Sequence, residues 1–229
     1  RSLVGSEMCI RDSYNTYEPQ TETKVLTDSA NKNQAKIVEA YKFKLSGNLK
    51  DEVTIELLNT ILGGGPSSRL FNDLREQQKL AYSVRSNLYS EGNTGVIALS
   101  IGTTTDNKET GEQSFDNLQK SIDGFKHHIE RIKSEPVSQA ELDSAKLSLK
   151  NLLLTVNESV ACKTGSFGDG LESYYGLNKD NAYFDMIDKI TVDDIYNAAQ
   201  YVFAGKPVYS IVATSDTLKY NCLLYTSPS

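Results

Sequence analysis

The chain has 229 residues, a net charge of −6, 38% hydrophobic and 24% charged residues, a composition ordinary for a soluble globular protein with length enough for a core. It lacks a basic cluster to meet a phosphate backbone, and no apolar run approaches the roughly 18 residues that cross a bilayer, so neither nucleic acid nor membrane is expected as a partner.

In chain order, Arg1–Ser13 (RSLVGSEMCIRDS) shows no period or cap, and Cys222–Ser229 (CLLYTSPS) shows none either. Both resemble translated adaptor sequence, so one domain is expected over residues 14–221, with 1–13 and 222–229 excluded from it. The compartment stays unassigned. Loose alternation of β-branched and aromatic residues predicts a strand over Gln34–Leu45. Asp51–Leu62 reads as a helix, opened by acidic residues and closed by Gly63-Gly64-Gly65. Pro66 then suits the first turn of a second helix over Ser67–Gln78. Ala81–Tyr89 and Thr94–Thr103 read as strands joined at Glu91-Gly92-Asn93, with Ile97, Leu99 and Ile101 on one face.

After Asp106 the period changes. Phe115, Leu118, Ile122, Phe125, Ile129 and Ile132 form one helical stripe, and Leu142, Ala145, Leu149, Leu152 and Val156 form another, behind a Ser138/Glu141 capping box. A further helical stretch is expected over Val160–Tyr175, then a Thr191-capped helix carrying Ile195, Ala198, Ala199 and Val202, then a strand over Pro207–Ala213. Strand, two helices, two strands, long helices and a strand is the order of an α+β domain rather than a βαβ alternation. Of three cysteines only Cys162 lies within 14–221, where it reads as a small buried side chain and not a disulfide, metal or redox group.

Leu58–Val84 reads LNTILGGGPSSRLFNDLREQQKLAYSV. A glycine-rich turn, then Ser-Ser-Arg-Leu-Phe, Leu-Arg-Glu and Leu-Ala-Tyr-Ser-Val, resembles the second-half signature of the pitrilysin/insulinase family of zinc peptidases. Weaker similarity runs from about Asn33 to Leu218. The resemblance implies a mixed, mostly antiparallel sheet covered by helices on one side, similar to the LuxS and mitochondrial-processing-peptidase-like metallohydrolases. In that family an Arg and a Tyr seven residues apart reach the active site from the domain without metal; Arg75 and Tyr82 match them. Guanidinium and phenol are both donors, suited to a substrate carbonyl and to the charge it gains on attack. The resemblance also implies substrate contacts along Gly63, Gly64, Gly65, Ser67, Ser68 and Arg69. On the residues alone, the glycines read as helix termination and close packing, and Arg69 and Glu76 as an ion pair or helix contacts. The glycine run is not a phosphate loop, because Pro-Ser-Ser-Arg follows it and not Gly-Lys-Ser/Thr.

The family's zinc motif, His-x-x-Glu-His, is not present. His127-His128-Ile129-Glu130-Arg131 approaches it, but Arg131 stands where the second His is needed, and Arg stays protonated. That segment lies on an amphipathic helix with Ile129 inward and His127 on the wet side. No metal site is expected in this chain. The resemblance implies zinc in the complete enzyme, on a homologous domain or subunit, and a peptide or small unfolded protein as substrate. The alternative is a non-catalytic partner or structural core subunit of the same fold.

Overall fold

The alternation at Gln34–Lys44 makes a strand at the centre of a five-stranded sheet. The computed structural model describes residues 17–30, 34–105, 116–157 and 179–214. The strands are β1 (Lys24–Ser29), β2 (Gln34–Lys44), β3 (Ala81–Glu91), β4 (Thr94–Thr104) and β5 (Val208–Ala213), in spatial order β1-β5-β2-β4-β3. β2 pairs antiparallel with β4 and β5, β3 pairs antiparallel with β4, and β1 and β5 are parallel. Gly92, at φ +58°, turns the β3–β4 hairpin.

The helices are α1 (Leu49–Gly63), α2 (Asp116–Ser134), α3 (Gln139–Asn157), α4 (Lys179–Lys189) and α5 (Val192–Val202). They cover one face of the sheet, where Ile37, Phe43, Ile97, Leu99, Ile101 and Ile211 are buried. The fold is α+β, with a mainly antiparallel sheet, as expected. α1 begins at Asn48, whose side chain accepts from the Asp51 N–H, and buries residues around most of its circumference, including Val53, Leu57, Leu58 and Leu62. α2 buries the predicted stripe from Leu118 to Ile132. The predicted Ser138/Glu141 capping box forms, and the predicted Thr191 cap proves to be a capping box closed by Asp194.

Several expectations need correction. β1 was not anticipated, because it is an exposed edge strand in which only Val25 is partly buried, so alternation is faint. α4 was not anticipated either; Lys146 donates to the carbonyls of Asp188 and Ile190 at its end, a contact that sequence spacing does not show. In α3, Leu149 is 3% exposed but Leu152 is 56% exposed, and Leu153 packs on the core in its place. The contact face thus steps i+4 from Leu149 and not i+3. The predicted second helix is also different: Pro66 and Ser67 form a turn, and Phe71–Gln77 is a π-helix. The segments 1–13, 160–175 and 222–229, with Phe115 and Cys162, lie outside the described residues.

Candidate functional site

The glycine-rich turn begins where α1 meets the sheet. A side chain on Gly63 would strike the backbone of Ser86, whose hydroxyl donates to the Asn59 carbonyl at 3.0 Å. Gly64 caps α1, its N–H reaching the Thr60 carbonyl at 3.2 Å, whereas a Cβ on Gly65 would meet open space. Gly63 thus serves close packing and Gly64 helix termination. Ser68 is buried, and its hydroxyl donates to the Gly65 carbonyl at 2.6 Å, closing the turn; Ser67 is exposed. Arg69 is turned inward and forks onto Glu141, Nε to Oε1 at 2.8 Å and a terminal nitrogen to Oε2 at 3.1 Å. The Arg69 hydrogen bonds hold the Glu141 carboxyl down at about 2. This pair ties the turn to the first turn of α3.

The π-helix carries Arg75. Its wider coil leaves Asp73 facing α2, where the imidazole of buried His128 meets Asp73 Oδ2 through Nε2 at 2.8 Å. Gln78 donates to the other Asp73 oxygen at 2.9 Å. Burial holds His128 below its ordinary pKa although Asp73 pulls it upward. Burial pushes Asp73 up, but the bonds from Gln78 and His128 outweigh it and leave the carboxyl below its usual range. One turn before His128, Gly124 lies so close to Leu74 that a Cβ would strike that side chain. Gly124 and His128, four residues apart on one face of α2, therefore grip Leu74 and Asp73, the residues just before Arg75.

Beyond Arg75 the chain is pinned just as firmly. Gln78 N–H reaches the Asp73 carbonyl and Leu80 N–H the Leu74 carbonyl, both at 2.9 Å, while Lys79 sits in the left-handed region at φ 53°. Buried Thr103 donates to the Leu80 carbonyl at 2.7 Å. β3 then starts with a bulge: Ala81 pairs with Thr103 and Ser83 with Gly102, leaving Tyr82 as the extra residue. Bulges re-aim side chains, and this one lays the Tyr82 ring across Gly102, where any Cβ would collide with it.

Of the predicted site residues, Arg75 and Tyr82 are the long side chains presented to solvent, at 43% and 52% exposure. The Arg75 guanidinium stacks 4.7 Å from the Phe71 ring centre and lies 3.8 Å from Glu76. Tyr82 faces out from the sheet surface opposite the helices. Neither lines the cleft of about 250 Å³ between α1 and α3, which includes Ser67, nor that of about 280 Å³ beside α5. Sequence reading missed Asp73, Gly102, Gly124 and His128, whose roles depend on contacts 20 to 55 residues apart; the one available signal was a lone buried-phase His beside Ile129.

The residues present do not fit a zinc ion. His127 is exposed, His128 already spends Nε2 on Asp73, and among the described residues no three His, Cys, Asp or Glu side chains converge.

A family model described as the peptidase M16 inactive domain matches residues 10–149. An uncharacterised zinc protease of Rickettsia felis is 31% identical over 169 residues, 74% of this chain and 38% of that protein. The crystal structure of a peptidase M16 inactive domain from Pseudomonas fluorescens matches with a TM-score of 0.67 at 21% identity, over 87% of this chain and 45% of that one. A protease from Helicobacter pylori matches at 0.69 and 22% identity, over 85% and 45%. This chain spans less than half the length of these relatives.

Proposed function

The chain belongs to the peptidase M16 family, as the domain type described as inactive, and from that premise we propose that it is the substrate-gripping, non-zinc part of a zinc metallopeptidase. Zinc belongs to a homologous domain or subunit, and peptides or small unfolded proteins are the substrates. The observation that carries this reading is the contrast around Arg75 and Tyr82. Asp73, Leu74, Leu80 and Thr103 are locked by hydrogen bonds and packing, while the two donors flanking that lock are exposed. Two donors held on a rigid turn can meet a peptide carbonyl, and their hydrogen bonds strengthen as that oxygen gains charge. Ser67 and Gly64 add an exposed hydroxyl and exposed backbone for the same peptide; Gly63, Gly65, Ser68 and Arg69 build the turn that presents them.

A second reading, a non-catalytic partner or structural core subunit, is favoured by one observation: Arg75 already stacks on Phe71 and leans on Glu76. Kinetics of the assembled enzyme, with zinc measured by elemental analysis, separate the two. Tyr82→Phe should lower kcat about 10²-fold, with zinc content unchanged. Full activity in both Tyr82→Phe and Arg75→Ala would leave the scaffold reading standing.

A further inference from the structure

The sheet face under Tyr82 carries charge of opposite sign to the chain as a whole. Directly paired residues share a face, so the registers fix what stands there. Lys36 lies in the row of Gly102, and Arg85 stands two residues along β3 from Ser83 of that row. Lys24, Lys42 and Lys44 share the face, against Asp28 and Glu91. Among the described strand residues that is five cations to two carboxylates, in a protein of net charge −6. Lys42 lies against the Tyr17 ring, and Asp28 accepts from the Ser29 N–H. Among the described residues, no carboxylate comes within ion-pair distance of Lys24, Lys36, Lys44 or Arg85. Half-buried Val38 and Val96 and exposed Tyr89 lie between these cations.

We propose that this face binds an extended, acidic peptide, so that the enzyme prefers substrates with Asp and Glu flanking the bond presented to Tyr82. This rests on the function proposed above and names its substrate class. The face is continuous with Tyr82 through Gly102, so a peptide held at Tyr82 runs across Lys36 or Arg85. Alternate side chains of an extended peptide repeat at about 7 Å, the spacing of same-face residues along a strand, so every second acidic side chain can reach a cation while the others face away. The surface is open, so each pair acts through screened water and not through a desolvated contact.

The test uses the assembled enzyme and two fluorogenic peptides that differ only in carrying two Asp or two Lys beside the same cleavable bond. Wild type should show kcat/KM about tenfold higher for the Asp peptide at low salt. That preference should shrink as salt rises past the point where the screening length falls below about 8 Å. Lys36→Glu/Arg85→Glu should reverse it, and the milder Lys36→Ala/Arg85→Ala should abolish it, giving a readout even where double reversal prevents folding. A silent Tyr82→Phe would sink the underlying function. A slow Tyr82→Phe combined with an unchanged Asp-to-Lys ratio in the charge variants would overturn the acidic preference alone. Equal loss on both peptides would also overturn it, placing the zinc-bearing partner on this face instead of substrate.

Discussion

On one side of β4, Ile97, Leu99 and Ile101 are at most 1% exposed beneath the helices; on the other, Val96, Ser100 and Gly102 lie on a surface that no described helix covers. The two sets alternate along one strand, yet they follow different rules. The covered set is uniformly apolar and packed, as burial demands. The open set is mixed, and its key member is a glycine whose missing side chain makes room for Tyr82. Stability and candidate function are thus divided between the faces of the same sheet, one residue apart. Among the described strand residues the covered face holds one carboxylate, beside the hydrogen-bonded hydroxyls of Ser86 and Thr103. Glu39 of β2 is 1% exposed, and one carboxylate oxygen accepts from the Tyr41 hydroxyl at 2.7 Å, with the Tyr209 hydroxyl also close by. Burial pushes its pKa up to about 7.

The sharpest way to break this division is to change neighbours on β4. Ile101→Ala should cost about 2–5 kcal/mol in urea unfolding, since the cavity lies in the covered face. A loss below about 0.5 kcal/mol would show that the helices do not seal that face.

Glu39→Gln tests this carboxylate. The folded-state pKa is raised, so the protonated carboxyl is the form the core favours, and the associated stability is fully present below about 4.5 and lost as pH rises toward about 7. Gln mimics that protonated form. The variant should therefore match wild type near pH 4.5 and exceed it by up to about 3 kcal/mol at pH 8. Parallel stability–pH curves for the two proteins would show that Glu39 does not titrate in this window.

Gly102→Ala addresses the open face, with the smallest expected change in stability. The added methyl meets the far end of the Tyr82 ring, which can swing into solvent, so the unfolding free energy should change by no more than about 0.5 kcal/mol. Activity of the assembled enzyme should nevertheless fall about tenfold or more, as the phenol leaves its place. An active Gly102→Ala would mean that the position of Tyr82 on this face has no bearing on catalysis.

The sequence by itself determined the α+β class, four of the five described strands, the stripes of α2 and α5, the Ser138/Glu141 capping box, the Thr191 cap and the segment carrying Arg75 and Tyr82. Each of these is a local signal: a period of 2 or 3.6, a side chain reaching three residues along, or a contiguous motif. The tertiary structure decided the rest. It supplied β1, α4, the π-helical winding of Phe71–Gln77, the Asp73–His128 contact and the fork from Arg69 to Glu141. It also decided which face of the sheet stays open, and hence that Tyr82, Lys36 and Arg85 share it. These features depend on groups tens of residues apart meeting in space, and no period or spacing within a single segment encodes which distant partner a side chain will find.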